Sequence, residues 1–207
     1  MYYRVGGKTK VRKLEREDVD RMLLWGKHES PEFLHYNFPN LSEAERDLWY
    51  RIKARDYRKR CFAIEDMKDN LVGYISLRNI KFFRRQSELG IVFDPSKLSK
   101  GYGTDGLCTF LDLYFNDLKM RILVLKVAKF NKRALRCYEK CGFEISGEVF
   151  HEFEEQNLGT STMRRIEQTN EGFAIENGKL MTNYYSMYIT REKYLFHKEN
   201  KELLITL

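Results

Sequence analysis

The chain has 207 residues and a formal net charge of +7, enough length for one ordinary domain with its own core. With 27 Phe and Tyr (14 Phe, 13 Tyr) against only 3 Pro, it is stocked for a packed interior and is neither disordered nor linker-rich. No apolar run reaches the length of a membrane span and the first residues lack a signal-peptide stretch, so a soluble cytoplasmic protein is expected, with no membrane partner.

In chain order, Val11 to Leu14 reads as a first strand, and Asp18 opens a helix that turns Val19, Met22 and Leu23 inward. His28 to Asn40 holds two of the prolines and reads as loop. Ser42-Glu43-Ala44-Glu45 has the spacing of a capping box, predicting a helix to about Arg55 with Leu48 and Ile52 inward. Strands follow at Cys61 to Glu65, Leu71 to Leu77 and Ser87 to Phe93, the first two joined by the polar turn Lys68-Asp69-Asn70. Asp94-Pro95 ends the third, because proline restricts its predecessor and donates no ladder bond.

Leu107, Phe110, Leu111, Tyr114, Phe115 and Leu118 form the strongest helical stripe in the chain. Ile122 to Val127 is rich in β-branched residues and reads as a strand. Asn131 suits the N-cap of a helix that carries Ala134, Leu135 and Tyr138 on one face, and Gly142 suits its C′ position. A strand resumes at Phe143 to Ile145. Glu152 to Thr169 is polar and reads as a long loop or insertion (about 152–171) within a single domain spanning the chain. Asn177-Gly178 is a hairpin turn between Phe173 to Ile175 and Tyr184 to Ile189.

Three features bear on chemistry. Lys100-Gly101-Tyr102-Gly103-Thr104 is a glycine-broken turn that feeds a helix N-terminus, a ready site for phosphate. It lacks the P-loop pattern and the third glycine of a dinucleotide fold, so ATPase and dehydrogenase readings fall. The basic clusters Arg58-Lys59-Arg60 and Arg84-Arg85, the second beside Phe82-Phe83, read as solvated turns, and no nucleic-acid partner is expected. Cys61, Cys108, Cys137 and Cys141 form no C-x-x-C pair and read as reduced thiols, and no metal is expected.

Glu88 to Gly106 resembles the coenzyme A motif of the GNAT acetyltransferase superfamily, Q/R-x-x-G-x-G/A, which here reads Leu98-Ser99-Lys100-Gly101-Tyr102-Gly103 with Leu98 at the Gln/Arg position. Asn131 to Phe143 is similar to a second family block, N-x-x-A/S-x-x-x-Y-E-K-x-G-F. Leu14-x-x-x-Asp18 and the run from Asn177-Gly178-Lys179 to Arg191, with Asn183 where an Asp is usual, resemble the branch of ribosomal-protein N-terminal and spermidine acetyltransferases. The resemblance implies an α+β fold, a mixed and mostly antiparallel sheet of about seven strands flanked by helices. It implies transfer of an acetyl group from acetyl-coenzyme A to a primary amine, with a protein N-terminus the favoured acceptor and a polyamine or aminoglycoside the alternative. A homodimer, and a coenzyme-binding sensor or scaffold without catalysis, stay open. Among site residues it implies Tyr138 beside the leaving thiolate and Glu88 as acceptor of the amine proton. It further implies coenzyme contacts from Val92, Phe93, Leu98, Ser99, Lys100, Gly101, Tyr102, Gly103, Thr104 and Asn131, the first two in a gap where the fourth and fifth strands splay.

Overall fold

Runs of β-branched and aromatic residues alternate with helical stripes along the chain, and they build one nine-stranded mixed sheet. The computed structural model describes residues 3–54 and 58–206. The strands are β1 (Arg4–Val5), β2 (Thr9–Lys13), β3 (Arg60–Asp66), β4 (Leu71–Lys81), β5 (Gln86–Phe93), β6 (Ile122–Ala128), β7 (Glu144–Glu152), β8 (Phe173–Glu176) and β9 (Lys179–Thr190). The helices are α1 (Arg16–Met22), α2 (Glu43–Ala54), α3 (Tyr102–Asp112), α4 (Lys132–Lys140), α5 (Thr160–Thr169) and α6 (Arg191–Thr206). Spatial order is β1-β2-β3-β4-β5-β6-β9-β7, with β8 also on β9. Every pairing is antiparallel except β5 with β6. The sheet exceeds the expected number of about seven strands; the short β1 has no reading in the sequence, whereas β8 is the first arm of the expected Asn177-Gly178 hairpin.

β3 is buried along nearly its whole length because both of its faces are covered. Phe62 and Ile64 join Leu107, Phe110, Leu111, Tyr114 and Phe115 in the main core, while Cys61 and Ala63 face Leu14, Val19, Met22 and Trp25 in a second cluster. The stripe read on α3 is therefore its core face. Its last turn widens into a π-helical segment, Leu113–Asp117, that keeps Tyr114 and Phe115 inside. Helix α1 starts at Arg16 with Glu15 as its N-cap, ahead of the expected Asp18, which lies in its first turn; buried with Glu65, Asp18 accepts both terminal nitrogens of Arg12 at 2.6 and 2.7 Å, and Arg21 bridges to Glu65 at 2.8 Å. These pairs fasten α1 across β2 and β3.

Three expectations fail. On α2 the Ser42–Glu45 capping box forms, but Leu48 and Ile52 face solvent and the half-buried face carries Trp49, Tyr50 and Ala54. Trp49 meets Phe38 and Tyr74 edge-on at 5.5 and 5.6 Å, so aromatic contact outweighed the aliphatic spacing. The polar stretch from Glu152 to Thr169 is not a loop throughout: Thr160–Thr169 is helix α5, held by only Met163 and Ile166 against Phe153, Phe173 and Leu180. Finally, the loop from His28 to Asn40 contains a short 3-10 helix, Pro31–Tyr36.

Other turn signals hold. Asn177 and Gly178 both take positive φ, 51° and 76°, as a tight hairpin turn requires, and Gly142 takes φ 90° after α4. Phe82 and Phe83 sit exposed at the β4–β5 turn. No helix among the described residues is long and apolar enough to cross a membrane.

The α2 correction gives a direct contrast. Phe110→Ala, in the main core, should destabilise the fold by about 3–5 kcal/mol, whereas Leu48→Ala, on the exposed face, should change it by less than about 0.5 kcal/mol. Urea denaturation of the two variants measures the difference.

Candidate active site

β5 and β6 pair in parallel at only three positions, Gln86 with Ile122, Ser87 with Leu123 and Glu88 with Val124. Beyond Glu88 each strand follows its other neighbour: β5 stays on β4 as far as Phe93, and β6 stays on β9 as far as Ala128. The strands part, and the β5 edge from Leu89 to Phe93 is left facing a cleft of about 510 Å³. Backbone N–H and C=O groups on such an edge need partners that the sheet does not supply.

The glycine turn closes one end of that cleft. Ser99 and Gly101 both adopt positive φ, 60° and 87°. Asp94 braces the turn from below by accepting Ser96 N and Oγ at 2.9 Å and Gly26 N at 3.0 Å. From the other side, Asp105 in the first turn of α3 accepts Gly7 N at 3.1 Å, Lys8 N at 2.9 Å and Thr9 Oγ1 at 2.7 Å. The N-terminal hairpin is thereby fixed against α3.

No side chain caps α3, so its first N–H groups stay available. A Cβ added at Gly103 would meet nothing closer than Cys137 Sγ at 3.7 Å. The protein's own packing therefore does not demand glycine there, and the missing side chain leaves room for a ligand to approach the backbone. Lys97, Arg136 and Lys140 line the same end. Exposed helix amides, an open glycine and a basic rim fit the pyrophosphate of coenzyme A, and the open β5 edge fits its extended amide-bearing arm.

Of the residues singled out in the sequence, Val92, Phe93, Leu98, Ser99, Gly101, Gly103, Thr104, Asn131 and Tyr138 all line the cleft. Lys100 and Tyr102 flank the turn without lining it: Lys100 Nζ donates to Ser96 O at 3.1 Å, and Tyr102 packs against the main core. Asn131 caps α4 by accepting Ala134 N at 3.1 Å while also facing the cleft. Glu88 stands at the fork, outside the lining, with its two oxygens accepting Arg78 Nη2 at 2.8 Å and Asn79 Nδ2 at 2.9 Å.

Tyr138 is buried with its ring 5.7 Å from that of Phe143, and nothing among the described residues hydrogen-bonds its hydroxyl. Burial pushes that hydroxyl well above the usual tyrosine range, and the nearby Tyr36 adds to the shift.

The far end of the cleft was not legible in the sequence. The loop that carries the 3-10 helix is closed by Asn37, which accepts His28 N at 2.6 Å and donates to His28 O at 3.0 Å. It delivers His28, His35 and Tyr36 to the lining opposite Glu154. His35 has its side chain 8% exposed, its ring 4.9 Å from Phe153, and Nε2 3.7 Å from Glu154 Oε2. Burial, with the neighbouring His28, lowers it to about 4 despite that carboxylate, so it is neutral at pH 7. Tyr36 is pushed up to about 12, chiefly by burial. Trp25, in the same region, is core: it stacks on Tyr74 at 6.3 Å.

Comparison with known proteins agrees with this geometry. Residues 8–144 match the acetyltransferase (GNAT) domain family. The spermidine N(1)-acetyltransferase of Vibrio cholerae is 30% identical over 145 residues, covering 69% of this chain and 83% of that protein. The Escherichia coli K12 protein of the same name is also 30% identical, covering 70% and 77%. Among solved structures, spermidine N-acetyltransferase from Vibrio cholerae in complex with coenzyme A and spermine superposes with a TM-score of 0.68 at 27% identity, over 90% of this chain and 98% of that one. The chain belongs to the GNAT acetyltransferase family and is an acetyl-coenzyme A-dependent N-acetyltransferase that acts on an amine.

Proposed function

We propose that the acceptor is an aliphatic polyamine of the spermidine type, and that the residues at the fork and on α4 carry the chemistry. The observation that carries the acceptor assignment is the 30% identity to spermidine N(1)-acetyltransferases across most of their length. The protein N-terminus is favoured in the sequence by resemblance alone, and the net charge of +7 counts there only against a polyamine, since a basic chain looks ill-suited to a polycation. The far end of the cleft offers the Glu154 carboxylate among the phenols of Tyr36 and Tyr138, with His28 and His35 lowered by burial, and it also carries Arg133, whose charge acts on His28 and Tyr36. Carboxylate and aromatic faces are what an ammonium requires.

Coenzyme A would be held by the amides at the start of α3, by the basic rim and by the β5 edge, and it supplies the acetyl group as an activated thioester. Everything else falls to the chain. Holding amine and thioester together supplies much of the acceleration. Tyr138 lines the cleft and would offer its hydroxyl to the sulfur that leaves the thioester. A thiol titrates near 8.5 and a free tyrosine near 10, so complete proton transfer is uphill by roughly 2 kcal/mol, and burial raises that further. Tyr138 therefore acts by donating a hydrogen bond to developing charge. Glu88 takes the amine proton through water: Arg78 and Asn79 fix its carboxylate, and each oxygen keeps a further lone pair for that water.

Tyr138→Phe should lower kcat by about a hundredfold and leave acetyl-coenzyme A affinity within about threefold, as measured by steady-state kinetics and calorimetry; unchanged turnover would remove Tyr138 from the chemistry. Glu88→Gln should flatten the acid limb of the pH dependence of kcat/KM, because that limb reflects ionisation of the base; a limb identical to wild type would assign the proton to another group. An acceptor panel checks the substrate: spermidine should release coenzyme A thiol at least ten times faster than peptide N-termini, and the reverse order would restore the protein substrate.

A further inference from the structure

Three of the four cysteines converge where the cleft meets the start of α3. Cys137 lines the cleft and is half-buried. Its sulfur accepts Thr104 Oγ1 at 3.6 Å. Cys141, one turn on and buried, directs its Sγ to Thr104 O at 3.7 Å and lies 3.3 Å from Cys108 Sγ on α3. Cys61 is buried elsewhere, in the second cluster. The N-terminus of α3, Lys140 and Arg136 bring positive potential to the same spot. Neither the acetyl transfer nor the packing of the core uses Cys137 as a thiol.

We propose that Cys137 is a thiol–disulfide exchange site, open to low-molecular-weight disulfides when the coenzyme cleft is empty and covered when it is filled. The Cys137 thiolate attacks one sulfur of a disulfide R–S–S–R; a Cys137 Sγ–S bond forms, the S–S bond breaks, and the second half leaves as RS⁻, which takes a proton from water. Only the disulfide is consumed, and a reducing thiol reverses the step. The group left on Cys137 stands against Gly103 and Thr104, where the coenzyme phosphates would approach the helix amides, so modification and coenzyme binding exclude each other.

The hydrogen bonds support the thiolate. The neighbouring Cys141, then donation from Thr104, with Lys140 nearby, lower the Cys137 thiol below the usual cysteine range, against the opposing effect of burial. A larger share of it is ionised at pH 7 than of an ordinary thiol titrating near 8.5. Cys141 moves the other way, raised by its contacts with Cys108 and Cys137 and by burial, and stays protonated, its S–H directed to Thr104 O.

The exclusion rests on the coenzyme assignment, and the experiment separates the two. The full chain is treated with glutathione disulfide at pH 7, with and without saturating acetyl-coenzyme A, and each cysteine is followed by peptide mass spectrometry. Cys137 should be modified at least ten times faster than the other three, and acetyl-coenzyme A should slow it at least tenfold. The modified protein should lose acetyl-coenzyme A binding in calorimetry and regain it with dithiothreitol. Cys137→Ser should abolish the fast phase and Cys108→Ser should retain it. Faster modification of Cys61, Cys108 or Cys141, or modification of Cys137 that leaves acetyl-coenzyme A binding intact, would overturn the proposal. Failure of the unmodified protein to bind acetyl-coenzyme A would instead overturn the coenzyme assignment, and the rate order among the four cysteines would still decide the reactivity of Cys137.

Discussion

The parallel ladder between β5 and β6 stops after Glu88, and the site depends on that stop. A backbone edge that loses its partner must find another or face water. Here β5 and β6 are each committed to a full antiparallel ladder on the other side, with β4 and β9, so neither can bend to close the gap. The gap becomes a cleft with hydrogen-bonding walls. Helices α3 and α4 bring their N-terminal residues to it, adding uncapped amides at one and Asn131 at the other. The N-terminal hairpin and Asp94 then lock the glycine turn in position.

What could be read from the sequence divides along local and non-local lines. The turn, its helix, the Asn131 cap and the hairpin at Asn177-Gly178 are encoded by neighbours a few residues apart, and the structure places them as read. The main core was legible for the same reason, as a strong stripe on one helix. The inward face of α2 was not, because Trp49 finds Phe38 and Tyr74 from distant segments. Helix α5 was hidden by having only two buried apolar residues in ten. Half of the site shared this fate: His35, Tyr36 and Glu154 meet from a loop and from a segment beyond β7, and no motif joins them. The proximity of His35 Nε2 to Glu154 is a purely tertiary fact.

Charge shows how a global property misled a local question. A net charge of +7 describes the molecule, and it suits an anionic coenzyme. It says nothing of the far end of the cleft, where burial lowers both histidines and the Glu154 carboxylate stands in the same lining as Arg133. Leu98 belongs to the same lesson. It stands where the family pattern has Gln or Arg, yet it lines the cleft beside Lys97 and Arg136, which supply cationic character from adjacent positions. The amides at the start of α3 carry no side-chain cap, and they do not depend on the side chain at 98.

Hydrogen–deuterium exchange of the full chain, with and without saturating coenzyme A, tests most directly whether the fork between β5 and β6 is the coenzyme site. The account predicts that added protection gathers in two segments, Leu89 to Phe93 on the open strand edge and Ser99 to Thr104 at the start of α3. Protection absent from both segments, or gathered instead around the separate hollow formed by Arg84, Arg121, Thr190 and Glu192, would contradict it.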